Sequence, residues 1–362
     1  MSNQESILLT GATGNLGAVI LDQLLAITTH SINIVLRREN AIHTLRTKYK
    51  TSTSRLSFTV IPDLSVPHAF DEAAATATAI IHCATPLGDP SNWLTSIIEP
   101  TWAIDKNILE AAKNSKSLKR VIICGTLLQA VGRKDLLDPT ITITETSFID
   151  TTLEEAKAGP WVSAYAFAKT AAEKKMWAWL DENTGSAGFD VVMLLPPAIT
   201  GRSPQVGYKP MMDSPGGIGR VTNALFVGRK GEEADAFFPW FMDTDDVART
   251  HILSLSPTKV PGNKRYLLTH PDPVNLRSIT KELRDKETGL KDRLPEFAET
   301  PSVWAKEKMV KIDTSKTDEV FGTQWKNAYD SIKATVMDVV QWENKNGVEI
   351  GAWWDGEGGV CS

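Results

Sequence analysis

The chain has 362 residues, 42% hydrophobic and 23% charged, enough for one large or two unequal domains whose cores need no covalent staples. The net charge of −5 leaves only one local basic group, Arg37, Arg38, Arg46 and Lys48, so nucleic acid is excluded as an expected partner. No apolar run reaches the ~18 residues of a membrane span, and three cysteines with no CxxC pair argue against a disulfide framework or a thiolate zinc site. The six histidines are scattered without metal-ligand spacing. The expectation is a cytoplasmic protein without a resident metal, monomeric or homodimeric, opening on a strand rather than a signal peptide.

The first predicted strand, Ser6–Thr10, runs into Gly11-Ala12-Thr13-Gly14-Asn15-Leu16-Gly17 and then a helix over 16–27. A turn of this kind uses one glycine to reverse the chain, one to let backbone approach a pyrophosphate, and one to pack helix on strand. The helix N-terminus offers unpaired N–H groups and the positive end of its dipole to the phosphates. Gly11, Thr13, Gly14, Asn15, Leu16 and Gly17 are therefore candidate cofactor residues.

A second strand over 32–36 ends at Arg37-Arg38, where an NAD-preferring domain carries an acidic residue for the ribose 2′-hydroxyl. A guanidinium there suits a 2′-phosphate instead, through paired charge-assisted hydrogen bonds. NADP(H) is the expected dinucleotide, with Arg37 as its reader. The third strand, 57–61, leads to Asp63 and Leu64, suited to accept from the adenine amino group and to pack on its ring. The fourth, 79–83, leads to Ala84-Thr85-Pro86 beside the nucleotide. His82 and Cys83 lie inside that strand and read as core, and Cys83 and Cys124 read as free thiols on neighbouring strands.

After a helix over 104–114, a fifth strand over 120–125 ends at Thr126, whose hydroxyl could polarise a substrate carbonyl. Tyr165-Ala166-Phe167-Ala168-Lys169 follows on a helix, where a spacing of four sets phenol and ammonium on one face. A phenol of ordinary pKa near 10 exchanges protons at neutrality only if its anion is stabilised, by about 4 kcal/mol for three pH units. Lys169 and a nicotinamide cation are the expected source. Tyr329 and Lys333 repeat the spacing far beyond the sheet, and read as an ordinary helix face.

A sixth strand, Asp190–Leu195, precedes Pro196 and Pro197, and residues 201–220 read as loop around short elements. Helices are expected over 243–254, 276–286 and 328–345, and a strand over 265–269. The alternation of strand and helix implies an α/β fold with a Rossmann-type doubly wound parallel sheet. Residues 1–200 plus about 240–270 form the expected dinucleotide domain. Residues 201–239 plus about 271–346 form a smaller substrate lobe, and 347–362 a tail without periodicity.

Together these residues resemble the extended short-chain dehydrogenase/reductase superfamily, over most of the chain. The likeness is to dihydroflavonol and cinnamoyl-CoA reductases and their fungal aldehyde and ketone (methylglyoxal-type) reductase relatives. The spacing of Gly11, Gly14 and Gly17, the position of Arg37, Val60-Ile61-Pro62-Asp63-Leu64, His82-Cys83-Ala84-Thr85-Pro86, the pair Tyr165 and Lys169, and Leu195-Pro196-Pro197-Ala198 carry it. The resemblance implies NADPH-dependent reduction of an aldehyde or ketone, with Pro196 and Pro197 meeting the nicotinamide and Thr126 in the usual serine position. Three departures stand out: Cys124-Gly125-Thr126 where Thr-Ser-Ser is usual, Arg202 where Pro is common, and Asp245 where Arg is common. The pocket is expected from 86–93, 127–131, 199–226 and Trp161. The alternatives are a nucleotide-sugar epimerase or dehydratase, disfavoured by the apolar Met193-Leu194-Leu195, and a non-catalytic NADP-binding sensor, disfavoured by the intact Tyr/Lys pair.

Overall fold

Short runs of Ile, Val and Leu bonded along both edges need apolar cover on both faces, and the fold supplies it. The computed structural model describes residues 5–210, 217–227, 239–287, 289–297 and 304–348. The tail beyond 348 and the loop part 211–216 lie outside the described residues. In chain order the strands are β1 (Ser6–Thr10), β2 (Ser31–Leu36), β3 (Leu56–Val60), β4 (Ala79–His82), β5 (Arg120–Cys124), β6 (Thr142–Ile143), β7 (Asp190–Leu195), β8 (Ala198–Thr200), β9 (Phe241–Asp243), β10 (Lys264–Leu267) and β11 (Lys311–Ile312). The α-helices are α1 (Asn15–Ile27), α2 (Asn40–Lys48), α3 (Asp71–Ala74), α4 (Glu99–Asn114), α5 (Leu153–Ala158), α6 (Trp161–Glu182), α7 (Gly217–Thr222), α8 (Thr244–Leu253), α9 (Leu276–Lys286), α10 (Ser315–Phe321) and α11 (Ala328–Asn346).

Seven strands form one parallel sheet in the order β10-β7-β5-β4-β1-β2-β3. Successive side chains leave a strand on opposite faces, so Leu8, Ile80, Val121 and Val191 pack on one side with α4 residues Ile104 and Ile108. Ile7, Leu9, Ile81 and Ile122 pack on the other, with Val19 and Ile20 of α1 and Val247 of α8. The doubly wound sheet expected from the sequence is present, and the strand order reverses between β1 and β4. Chains leaving those two strands diverge there, which opens a crevice at the C-terminal edge.

Differences from expectation are local. The fifth strand stops at Cys124, although Gly125 N–H still donates to Leu194 O at 2.7 Å. The helix expected at 104 begins at Glu99, with Pro100 in its first turn, where a missing N–H costs nothing. Two short parallel pairs, β6 with β11 and β8 with β9, carry no signal in the sequence because each strand is two or three residues long. A third apolar cluster joins Val221 and Leu225, Phe241, Leu276 and Leu283 of α9, and Ile332 and Val336 of α11. At the sheet's opposite end Arg120 binds both oxygens of Asp190, at 2.7 and 2.6 Å, and donates to Ser254 O and Val260 O at 2.8 Å each.

Candidate active site

Where β1 turns into α1, Gly11 adopts φ +77° with no room for a side chain, since a Cβ would stand 2.9 Å from Ala84 N. A Cβ on Gly17 would come within 2.1 Å of Gly11 O, so this glycine sets how closely the helix meets the turn. Gly14 differs. Its Cβ would meet only Gly11 O, at 3.3 Å, while the residue faces a cavity of about 1000 Å³. Gly14 caps α1 without any side-chain hydrogen bond, and no acidic residue stands in the first turn. A 13-residue helix thus presents bare N–H groups to the cavity, as an anionic ligand requires.

The cavity runs along the sheet edge and collects most of the expected cofactor residues: Gly11, Thr13, Gly14, Asn15, Leu16, Arg37, Asp63, Leu64, Ala84, Thr85, Pro86, Tyr165, Pro196 and Pro197. Arg37 is exposed there and has no hydrogen bond or ion pair among the described residues, so its guanidinium is available to a ligand. Asp63 Oδ1 accepts from Ser65 N and Ser65 Oγ at 2.8 and 2.6 Å; these bonds hold its carboxyl below the usual range. Asn15 Oδ1 is taken by Ser203 Oγ at 2.8 Å and by Gln205 Nε2, which ties the loop after β8 to the start of α1.

Beneath the turn lies a connection the sequence does not reveal. Thr10 Oγ1 accepts from Cys83 N and Ala84 N, both at 3.2 Å, so its own proton goes to His82 Nδ1, 2.7 Å away. That leaves the imidazole proton on Nε2, facing Asp105 Oδ1 at 3.4 Å. His82 is 1% exposed and belongs to the core, as its place inside a strand implied.

At the other end of the cavity stand Thr126, Tyr165 and Lys169. Thr126 caps a short 3-10 turn, Leu127–Gln129, and its N–H donates to Gln129 Oε1 at 2.7 Å. Gln129 Nε2 donates to Glu173 Oε2 at 2.6 Å, and Glu173 Oε1 accepts from Arg265 Nε at 2.7 Å and Trp177 Nε1 at 3.0 Å. Gln129, Glu173 and Arg265 are all buried. Glu173 lies four residues beyond Lys169 and eight beyond Tyr165, so one face of α6 carries all three.

The Tyr165 ring stacks on Trp161 with centroids 4.6 Å apart and planes 13° from parallel. Burial pushes the Tyr165 phenol up, the Cys124 sulfur adds to this, and the Thr126 hydroxyl opposes it. The lowering expected from Lys169 is absent in this state. The Lys169 ammonium, 4% exposed, donates to Cys124 O at 3.0 Å and approaches Thr85 Oγ1 at 3.4 Å. Trp161 Nε1 donates to Leu87 O at 2.7 Å, which joins the start of α6 to the loop after β4.

The end of the cavity beside Tyr165 is apolar. Leu128, Leu136, Leu137, Val162, Phe241 and Trp304 line it, and Arg37 and Asp63, both at the other end beyond β2 and β3, are the only charged side chains lining the cavity among the described residues. Of the expected pocket segments, Pro86, Leu87, Leu128, Trp161, Ile199, Gln205, Gly217 and Ile218 reach it. Trp93 does not: it packs beside Ile97 and Ala164 and donates to Gly159 O. Leu136, Leu137 and Trp304 had no signal in the sequence, being far from any motif. The two departures Arg202 and Asp245 prove to be partners, 2.9 Å apart, with Asp22 of α1 on the other side of the guanidinium at 2.9 Å. Tyr329 and Lys333 both contact Glu287, away from the cavity.

The profile of the NAD dependent epimerase/dehydratase family matches residues 7–267, which is most of the chain and spans every strand of the large sheet. The chain belongs to this family. Among curated members, a candidate NADPH-dependent methylglyoxal reductase of Candida albicans is 24% identical over 350 residues, covering 94% of this chain and 100% of that protein. A ketoreductase of Cercospora beticola is 27% identical over 368 residues, covering 95% and 98%. Among solved structures, yeast methylglyoxal/isovaleraldehyde reductase Gre2 complexed with NADPH superposes with a TM-score of 0.80 at 21% identity, covering 94% of this chain and 99% of that one. This epimerase/dehydratase-family chain therefore shares its fold with Gre2, as the resemblance to extended short-chain enzymes implied.

Proposed function

We propose that the chain is an NADPH-dependent reductase of aldehydes or ketones, working through Thr126, Tyr165 and Lys169. The observation that carries this reading is that Thr126 and Tyr165 both line the apolar end of a cavity whose other end is a bare helix N-terminus and a free arginine. Gly11, Thr13, Gly14, Asn15 and Leu16 would hold the pyrophosphate, Gly17 keeping the helix close, and Arg37 the 2′-phosphate. Asp63 and Leu64 would hold the adenine, and Ala84, Thr85, Pro86, Pro196 and Pro197 the nicotinamide half. NADPH, when bound, supplies the hydride. The relatives named for NADPH-dependent and ketone reduction support the same assignment.

Thr126 donates to the substrate carbonyl and orients it. Tyr165, kept neutral by burial, gives its proton to the oxygen as the carbonyl becomes an alcohol. Lys169 holds the strand end at Cys124 O and Thr85, below the cavity wall. An uncharged, apolar substrate fits the lining. A nucleotide sugar fits poorly, because no cation among the described residues at that end meets its diphosphate. Residues 201–239 and 271–346 would form the substrate lobe around the third apolar cluster, and free thiols at Cys83 and Cys124 suit the cytoplasm.

The test is loss of NADPH absorbance with a panel of aldehydes and ketones. Wild type should turn over at least one, and Tyr165→Phe should lower kcat by about 10²-fold or more while still binding NADPH. Equal turnover in both proteins would overturn the mechanism.

A further inference from the structure

The two cysteines beside the cavity are not isolated. The pairing of β4 with β5 sets His82 opposite Ile123, so Cys83 and Cys124 follow as the next cross-strand neighbours. Both side chains lie on the face covered by α8, with partly buried sulfurs that also line the cavity. His251, from α8, closes the group: the sulfurs and a ring nitrogen all lie within 4.8 Å of one another.

The imidazole is set up to give rather than receive. His251 is 0% exposed, and its Nδ1 stands 2.7 Å from Val247 O. A carbonyl only accepts, so the ring proton is on Nδ1 and the free lone pair is on Nε2. That Nε2 is buried with no partner in hydrogen-bonding geometry. The Cys124 thiol donates instead toward Gly125 O at 3.7 Å. An orphaned imidazole nitrogen with its other nitrogen fixed by a backbone carbonyl is the arrangement found at metal-bound histidines.

We propose that Cys83, Cys124 and His251 form a binding site for a soft d10 metal ion, Zn²⁺ or Cu⁺, through which such ions inhibit this chain. Two thiolates and one neutral imidazole are the donors these ions prefer, with a fourth position left open toward the cavity. Ligand atoms around a tetrahedral zinc stand about 3.5–3.8 Å apart, so closure from 4.8 Å needs movements of about 1 Å, within reach of side-chain rotation. Binding releases the two thiol protons to solvent, and no electron changes hands. A bound ion would place itself and its fourth ligand in the cavity wall beside Lys169, which is the reason to expect inhibition; with both thiol protons released, Zn²⁺ adds no net charge there. The site itself does not depend on the reductase assignment.

The experiment uses the full chain with Cys361→Ser, to remove the third thiol, reduced and freed of metal, and titrated with Co²⁺ and then Zn²⁺. The expected result is one Co²⁺ per chain with a sulfur-to-cobalt charge-transfer band in the near ultraviolet, displaced by Zn²⁺. His251→Gln, Cys83→Ser and Cys124→Ser should each weaken binding at least tenfold. No band in the parent protein overturns the site, and needs no variant to read. A band unchanged by His251→Gln shows adventitious binding only and overturns it as well. Turnover should fall with added Zn²⁺, recover with EDTA, and resist at least tenfold more Zn²⁺ in His251→Gln; equal sensitivity overturns the inhibitory role.

Discussion

Arg37 and Glu173 show how differently single residues carry function here. Arg37 has no partner among the described residues, so its charge serves a ligand or nothing. Arg37→Asp should raise the Kd for NADPH by about 10- to 100-fold, the equivalent of one or two charge-assisted hydrogen bonds, and change NADH binding little. Equal losses for both nucleotides, measured by fluorescence titration, would remove it from the 2′-phosphate. Glu173 does not line the cavity, yet it joins Gln129, which holds the Thr126 backbone, to Arg265. Glu173→Gln keeps the shape and removes the charge opposite a buried guanidinium. A loss of about 2–3 kcal/mol of stability is expected, seen as a lower Tm, with kcat falling more than KM rises. An unchanged Tm would mean that Arg265 finds compensation elsewhere. Burial keeps Tyr165 protonated through neutrality, so carbonyl reduction should vary little between about pH 6 and 8. Oxidation of the alcohol needs the phenolate and should quicken as pH rises.

The β1–α1 turn shows what an element demands beyond its sequence pattern. Three glycines share one spacing and have three separate reasons to be glycine. Gly17→Ala forces a methyl against Gly11 O and should cost about 1–3 kcal/mol of stability, read by urea denaturation. Gly14→Ala meets little protein and should leave stability nearly intact while weakening NADPH binding, because its methyl enters the cavity. The reverse pattern would mean that Gly14 is structural and that no phosphate approaches it. The spacing was legible in the sequence; the division of labour among the glycines was not, since it depends on how close Ala84 and α1 come. Thr126 is similar. Its place after a strand was readable, but the short 3-10 turn that aims it is held by residues from α6 and β10.

The loop after β8 is anchored across the whole molecule, by Arg202 to Asp22 of α1 and Asp245 of α8, with Lys326 beyond. Arg202 and Lys326 help hold the Asp245 carboxyl below its usual range against the opposing effect of burial. A depressed folded pKa contributes stability above the unfolded value near 4, which is lost as pH falls through the folded value. Burial pushes Tyr49, Tyr165 and Tyr208 upward. Their unfolded forms release protons near pH 10 while the native forms keep them, so stability should fall as pH rises past 10. Thermal melts from pH 3 to 11 should therefore show a plateau with an acid and an alkaline fall. A flat alkaline limb would mean that these phenols are solvated.

What the amino-acid sequence determined by itself is what local spacing encodes: alternating apolar runs and helical stretches, hence the parallel sheet, the glycine turn, and an arginine where an acid would select NAD. Tertiary structure alone decided which distant side chains meet. Gln129, Glu173 and Arg265 converge from three elements, Trp304 reaches a cavity opened by residue 10, and His251 finds two cysteines on neighbouring strands. Periodicity reports which face of an element is buried. The partner on that face depends on how the elements pack, which no local pattern specifies.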